Sequence, residues 1–135
     1  MKPILSFLLV LGMVFSISAA QQDEEAFKDV EEVEGPSLHF KEKVHNFGEI
    51  EEGTQAKHIF KFYNNGDEPV VISRVRPSCG CTVSEYTKEP VQPGDVGEIH
   101  AEYDSKNRNG NFSTSIRVSS NAGTETIRVT GEVIQ

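Results

Sequence analysis

The sequence predicts an all-β protein in which two sheets pack face to face. Apolar and polar residues alternate along most of the chain, which places successive side chains on opposite faces of a strand. Turn-forming residues interrupt this alternation at short intervals, and no long stretch has apolar residues at helical spacing. The part of the chain that follows the N-terminal segments has about 100 residues, enough for one hydrophobic core and too few for two.

Each predicted strand ends at a turn or at a residue that breaks a strand. The predicted strands lie within 38–48, 58–62, 70–75, 99–103, 112–118 and 126–133. The sequence Asn64-Asn65-Gly66-Asp67 is a strong turn signal, and Asn109-Gly110 is another. Pro77 ends one strand, and Pro90 and Pro93 mark a longer loop. About seven short antiparallel strands with such regular turns are typical of an immunoglobulin-like β-sandwich.

The predicted sandwich has no disulfide between its sheets. The chain has two cysteines, Cys79 and Cys81, and residues this close in sequence cannot bridge two sheets. The chain also lacks the tryptophan of antibody-type domains. We therefore expect an apolar core to hold the sheets together: Phe40, Phe47, Phe60, Phe62, Ile72, Ile99, Tyr103, Phe112, Ile116, Val118, Ile127 and Val129.

Residues 1–20 have the pattern of a secretory signal peptide. Lys2 precedes an almost wholly apolar run over 4–17, and Ser18-Ala19-Ala20 offers small residues for cleavage before Gln21. The alternative is a membrane anchor, but the apolar run is shorter than the roughly 20 residues that span a bilayer. We expect an extracytoplasmic protein, either secreted or periplasmic, with no stable membrane insertion after the signal is removed.

Residues 21–36 form an acidic segment that we predict to be a flexible, solvated linker before the domain at 37–135. An arm that binds cations or basic partners is the alternative. Binding of nucleic acid is not expected, because the chain has a net charge of −8 and lacks a basic run with interleaved aromatic residues. Against Lys28 the segment carries seven acids: Asp23, Glu24, Glu25, Asp29, Glu31, Glu32 and Glu34.

The segment Pro77-Ser78-Cys79-Gly80-Cys81-Thr82 is the one place where the sequence offers unusual chemistry. Gly80 lets the backbone turn, so a disulfide between its two cysteine neighbours is sterically feasible. Closing so small a loop contributes roughly 1.6 kcal/mol before strain is subtracted. Such a bond is comparatively easy to reduce. A local disulfide, a redox-active or metal-binding (Cu(I) or zinc) dithiol, free thiols, and bonds to a partner chain all remain open.

The histidines and acids do not form a recognisable catalytic set, and no cofactor motif is present. His39 and His45 share the phase of neighbouring lysines, so we expect them to face solvent. His100 lies between two glutamates on a polar face. His58 has the phase of buried phenylalanines, and a hydrogen-bonded core histidine is favoured over a ligand role. The sequence therefore predicts a protein that is not an enzyme and has no cofactor.

Three segments of the chain are HNFGEI at 45–50, FKFYNNG at 60–66 and PSCGCT at 77–82. With these motifs the chain resembles a bacterial envelope family of uncharacterised immunoglobulin-like domains. The resemblance spans 38–134 and implies a fold similar to Hydin-type and major-sperm-protein-like modules, which act in protein interactions. Asn46 and Tyr103 depart from the usual residues of the family, which are Asp and Phe. The structural residues of these motifs are His45, Phe47, Gly48, Asn64, Gly66, Pro77 and Gly80.

The leading functional hypothesis is an exported, non-enzymatic module that binds other envelope or secreted proteins. We expect its contacts on edge strands and on the loop around Gly80, because loops on a rigid sandwich often carry function. The alternative is a redox-active or metal-binding protein that acts through Cys79 and Cys81.

Processing of the N-terminus gives a direct test. If 1–20 is a signal peptide, the exported protein will begin at Gln21, because cleavage follows the small residues. N-terminal sequencing and intact mass of protein from the extracytoplasmic fraction measure this. Retention of the apolar run in the mature protein would instead indicate a membrane anchor.

Overall fold

The computed structural model describes residues 29–135. The predicted signal peptide over 1–20 and the first part of the predicted linker, 21–28, lie outside the described residues. Within 29–135 the chain forms strands and no helix, and the strands make two four-stranded sheets. This confirms the all-β sandwich. None of the described residues belongs to a helix that could span a membrane.

Eight strands form the sandwich, in two sheets that share no strand. One sheet has the order β1-β3-β6-β5, and the other has the order β2-β8-β7-β4. The edge strands are therefore β1 and β5 in the first sheet, and β2 and β4 in the second. The strands are β1 (His39–Phe40), β2 (Val44–Glu51), β3 (Gln55–Tyr63), β4 (Ile72–Pro77), β5 (Cys81–Tyr86), β6 (Val96–Asp104), β7 (Gly110–Ser120) and β8 (Gly123–Ile134).

The structure differs from the predicted arrangement of about seven antiparallel strands in two respects. The predicted first strand over 38–48 is two strands, because the chain leaves β1 at Phe40 and crosses to the other sheet before β2 begins at Val44. As a result β2 pairs with β8 in parallel, whereas the other strand pairs are antiparallel. The strand β5 was not predicted, because a register irregularity between Val83 and Glu85 interrupts its alternation.

The core between the sheets is the one predicted from alternation. Ten of the twelve predicted core residues are buried, and the other two, Phe47 and Phe112, are half-buried and pack against the buried cluster. Each fully buried large apolar side chain contributes roughly 1.5–3 kcal/mol. No disulfide links the two sheets within the described residues. Six further residues are buried beside them: Ala56, Val70, Cys81, Val91, Ala101 and Val133.

Asn64 joins three separate parts of the chain at one end of the sandwich. Its side chain is completely buried. The amide nitrogen Nδ2 donates hydrogen bonds to the carbonyl oxygens of Glu68 (2.8 Å) and Val91 (2.9 Å). The oxygen Oδ1 accepts hydrogen bonds from the backbone N–H groups of Gly66 (2.9 Å) and Ser37 (3.4 Å). One side chain thus makes hydrogen bonds with four backbone groups in three parts of the chain.

The last residues of the predicted flexible linker are hydrogen-bonded to this turn. The N–H of Val33 donates to the carbonyl of Asn65 at 2.8 Å, and the N–H of Asp67 donates to the carbonyl of Gly35 at 3.0 Å. A Cβ atom at Gly66 would lie 1.9 Å from the carbonyl oxygen of Gly35, so only glycine allows this approach. The C-terminal end of the predicted linker is thus hydrogen-bonded to the domain, while the linker as a whole, 21–36, stays a prediction.

Replacing Asn64 by alanine will destabilise the domain strongly. The substitution removes four hydrogen bonds to backbone groups, and each buried group that is left without a partner costs about 1–3 kcal/mol. We expect a loss of about 3 kcal/mol or more in the free energy of unfolding, measured by urea denaturation. Asn111→Ala is the matched control, since Asn111 is exposed on β7, and it should change stability by less than about 0.5 kcal/mol. Equal effects of the two substitutions would contradict this role.

Candidate functional site

The cysteine segment forms a corner that joins the two sheets. The strand β4 ends at Pro77 as an edge of one sheet, and β5 begins at Cys81 as an edge of the other. Ser78, Cys79 and Gly80 carry the chain across. Gly80 has a φ of +84°, the left-handed conformation that favours glycine and lets so short a segment reverse direction.

Backbone and hydroxyl hydrogen bonds hold this corner in place. The Ser78 N–H donates to the carbonyl of Ser115 on β7 at 2.8 Å, and the Ser115 N–H donates to Ser78 Oγ at 2.8 Å. The buried Thr114 hydroxyl donates to the Cys79 carbonyl at 3.0 Å and lies 2.5 Å from Ser78 Oγ. On the other side, the Asp104 N–H of β6 donates to the Gly80 carbonyl at 3.3 Å. The corner is thus tied to both sheets.

The two thiols occupy different environments. The side chain of Cys79 is exposed, whereas Cys81 is 7% exposed and belongs to the apolar core. Burial raises the pKa of the Cys81 thiol, against a smaller opposing effect of a hydrogen bond with the Thr82 backbone. Both cysteines are free thiols in the structure. The disulfide and the dithiol metal site at Cys79 and Cys81 stay predictions.

The motif at 45–48 forms a bulge in the edge strand β2. The register against β8 shifts between Asn46 and Glu49. Gly48 takes a φ of +71°, and its N–H donates to Asn46 Oδ1 at 2.8 Å. The bulge lets Phe47 pack against the core on one side of the irregularity while Ile50 packs inward on the other. These motif residues therefore shape the edge of the second sheet.

His45 and His58 meet across the rim between the two sheets. His45 lies on β2 and His58 on β3, and their rings stack with centroids 3.6 Å apart and planes 6° apart. His45 was expected to face solvent. That prediction was wrong, because the crossing at 41–43 resets the alternation and turns His45 toward the same side as Phe47. Its side chain is 28% exposed.

Glu42, in the crossing between β1 and β2, completes a cluster with the two histidines. Its Oε1 lies 2.5 Å from His58 Nε2 and 3.8 Å from His45 Nδ1. This carboxylate is the polar neighbour of the buried Nε2 atom, and it acts on His58 through a hydrogen bond and through its charge. The interpretation of His58 as a hydrogen-bonded core histidine stays a prediction. Three potential metal-ligand atoms lie within 4.8 Å of one another here.

The surroundings of His58 favour its neutral form. Burial lowers the pKa of its imidazole below the ordinary value, and the charge of the neighbouring His45 lowers it further. The Glu42 carboxylate acts in the opposite direction but does not offset these two effects. The neutral imidazole that these effects favour has one unprotonated ring nitrogen.

Arginines gather on the outer face of the second sheet, away from the core. Arg76 on β4 lies directly opposite Arg117 on β7, and Arg74 is opposite Ser119. Arg128 on β8 is opposite Ser115 and donates from Nη1 to Ser113 Oγ at 2.9 Å.

All four arginines are exposed. Among the described residues none of these four arginines forms a salt bridge. We call this surface the arginine face: Arg74, Arg76, Arg117 and Arg128, with the hydroxyl residues beside them.

Two of these features were missed in the sequence for different reasons. The four arginines alternate with residues that face the core, such as the half-buried Val75 and the buried Val118, so strand periodicity could have placed them on one face. The Glu42 cluster had no such signal, because His58 is brought to His45 only by the packing of one sheet against the other. His100 lies where expected, on a polar face with Glu98 Oε2 2.9 Å from its Nε2.

These features define an immunoglobulin-like β-sandwich domain with a structured corner and two polar surface clusters. The chain belongs to DUF1573, a family of proteins of unknown function, whose model matches residues 38–133. No protein of established annotation matches the chain. The family membership agrees with the resemblance expected over 38–134, although the individual motifs are not tested by this match.

Solved structures share the fold at low sequence identity. A protein of unknown function from Porphyromonas gingivalis W83 is 14% identical, with a TM-score of 0.61 over 78% of this chain and 50% of that one. The human CEP192 ASH/PapD-like domain 7 is 12% identical, with a TM-score of 0.57 over 73% of this chain and 85% of that domain. The Vibrio cholerae VesB protease is 16% identical, with a TM-score of 0.54 over 72% and 31%.

The chain spans half the length of the Porphyromonas protein and less than a third of VesB. At such identities these similarities show the fold alone. They provide no positive evidence of catalysis in this chain, and they agree with the expected type of immunoglobulin-like domain.

The two thiols will differ sharply in reactivity. The thiolate is the reacting form, so burial and a raised pKa protect Cys81, while Cys79 is open to solvent. We expect reduced, folded protein to be alkylated by iodoacetamide at Cys79 at least tenfold faster than at Cys81, as measured by peptide mass spectrometry. In denaturant the two rates should converge. Comparable rates in the folded state would show that the corner opens readily.

Proposed function

We propose that this protein is an exported, non-enzymatic module that binds an acidic surface of another envelope or secreted protein through the arginine face. The proposal includes a secreted or periplasmic address, supported by the signal-like sequence over 1–20. It also includes the relation to Hydin-type and major-sperm-protein-like interaction modules that the sequence motifs imply.

The observation that carries the proposal is the pair formed by Arg76 and Arg117. Like charges directly opposite each other on neighbouring strands destabilise a sheet. Here two guanidinium groups occupy such positions in a chain whose net charge is −8, without a carboxylate partner among the described residues. Planar guanidinium groups bind carboxylates through paired hydrogen bonds, so an acidic protein surface complements this face.

The edges of the sandwich do not favour binding by addition of a strand. The edge strands β2, β4 and β5 each contain a register irregularity, and β1 has two residues. Bulges and short edges are the features by which sheets avoid pairing with other chains. This argues against the expected edge-strand contacts and favours recognition by side chains on the sheet face.

The loop around Gly80 contributes as the rigid end of the same surface. Pro77 and Ser78 line a cleft with Arg76, Ser115 and Arg117, and the cleft has a volume of about 280 Å³. The hydrogen bonds of the corner keep these residues fixed, so a partner binds without the entropy cost of ordering a loop. The alternative function, redox chemistry or metal binding by the cysteine pair, is tested separately by the thiol reactivities.

Removing the two opposed charges will weaken partner binding. The wild-type protein, immobilised, should retain a reproducible partner from the envelope fraction at low ionic strength and release it as salt is raised. In Arg76→Gln/Arg117→Gln, two charge-assisted hydrogen-bonding groups are lost, so retention should fall at least about tenfold.

The matched control is Lys57→Gln/Lys106→Gln, which removes the same charge from positions outside the arginine face. It should retain the partner within about twofold of the wild-type level. Loss of binding in both double variants would indicate a general charge effect. Retention by the arginine variant, or the lack of any reproducible partner, would overturn the proposal.

A further inference from the structure

We propose that Glu42, His45 and His58 form a binding site for one divalent transition-metal ion of the zinc type, at the rim where the two sheets meet. The site is separate from the cysteine pair, because β1 and β2 are the sheet edges at one side of the sandwich and β4 and β5 are the edges at the other. It is also separate from the arginine face.

The ligand set fits this class of metal. Imidazole nitrogens suit zinc, copper and nickel, and two histidines with one glutamate form an established three-residue zinc set. The three atoms that would bind the ion are His45 Nδ1, His58 Nε2 and a Glu42 carboxylate oxygen, and they lie within 4.8 Å of one another. A calcium or magnesium ion is disfavoured, because these ions prefer oxygen ligands.

Binding of a metal ion requires the three side chains to rearrange. Ligand atoms about 2.0–2.1 Å from a tetrahedral zinc ion are about 3.3 Å apart. Glu42 Oε1 is closer than this to His58 Nε2, at 2.5 Å, and farther from His45 Nδ1, at 3.8 Å, so the carboxylate must shift toward His45. The two imidazole rings must also tilt out of their stack, whose planes are 6° apart, because each ring binds a metal through a lone pair in its own plane. Glu42 is exposed and lies between strands, so its side chain is free to rotate.

The contact between His58 and Glu42 brings two potential ligands together at a buried atom. His58 Nε2 is buried, and Glu42 Oε1 lies 2.5 Å from it. Buried polar atoms in folded proteins nearly always have a polar partner, and here that neighbour is the Glu42 carboxylate. A metal ion bound between the two groups would satisfy the nitrogen and neutralise the carboxylate at the same time.

The position of the site gives the ion a structural effect. His45 belongs to one sheet, His58 belongs to the other, and Glu42 lies on the segment that crosses between them. A bound ion would therefore link the two sheets, which have no disulfide between them within residues 29–135. Since the site is assembled only by folding, metal binding will stabilise the folded state.

Zinc titration of the untagged protein, isolated from its producing cell and freed of metal with a chelator, tests the proposal. Calorimetry should give one Zn²⁺ ion per chain, and the melting temperature should rise with zinc concentration. Glu42→Gln and His58→Gln should each weaken binding at least about tenfold. His100→Gln is the matched control, because His100 also pairs with a glutamate but lies outside the cluster, and it should bind within about twofold of wild type.

Two further measurements separate the possible outcomes. In the wild-type protein, zinc should shift the NMR signals of the His45 and His58 rings and leave those of His39 and His100 in place. This readout does not depend on the folding of any variant. The Cys79→Ser/Cys81→Ser variant should bind zinc like the wild type. Loss of binding in that variant, shifts at His39 or His100 instead, or the lack of stoichiometric binding would overturn the proposal.

Discussion

Burial of side chains between the two sheets is the interaction on which the rest of this structure depends. Phe60, Phe62 and Ile99 from one sheet face Ile116 and Ile127 from the other, and all five are completely buried. No disulfide reinforces this packing within the described part of the chain. The packing of these two inner faces sets the positions of the corner at 77–82, of the cluster of Glu42 with His45 and His58, and of the arginine face.

The motif with the most unusual sequence is explained largely by backbone geometry. In the segment at 77–82, Ser78 bonds to a neighbouring strand, Gly80 supplies the turn, and Cys81 fills part of the core. The Cys79 carbonyl accepts a hydrogen bond from Thr114, while its thiol faces solvent. A rigid corner between two sheets therefore accounts for this segment, and the chemistry of its thiols is an addition to that role. The buried Asn64 has a similar structural role at another turn.

The alternation of apolar and polar residues along the chain was sufficient to predict the fold class and most of the core, because a strand with one buried face has an apolar residue at every second position. It failed where the alternation is interrupted. The crossing at 41–43 and the irregularity between Val83 and Glu85 shift the phase, so a strand was missed and His45 was assigned to solvent. The cluster of Glu42 with His45 and His58 depends on contacts between sheets, which local patterns do not contain.

The parallel pairing of β2 with β8 has a consequence for when the domain can form. Val44 lies beside Arg128, so an early strand of the domain is completed by the last one. Closing such a long loop is entropically costly, so β2 joins the second sheet late in folding. Until β8 has formed, β2 has no partner strand and β7 keeps one edge unpaired.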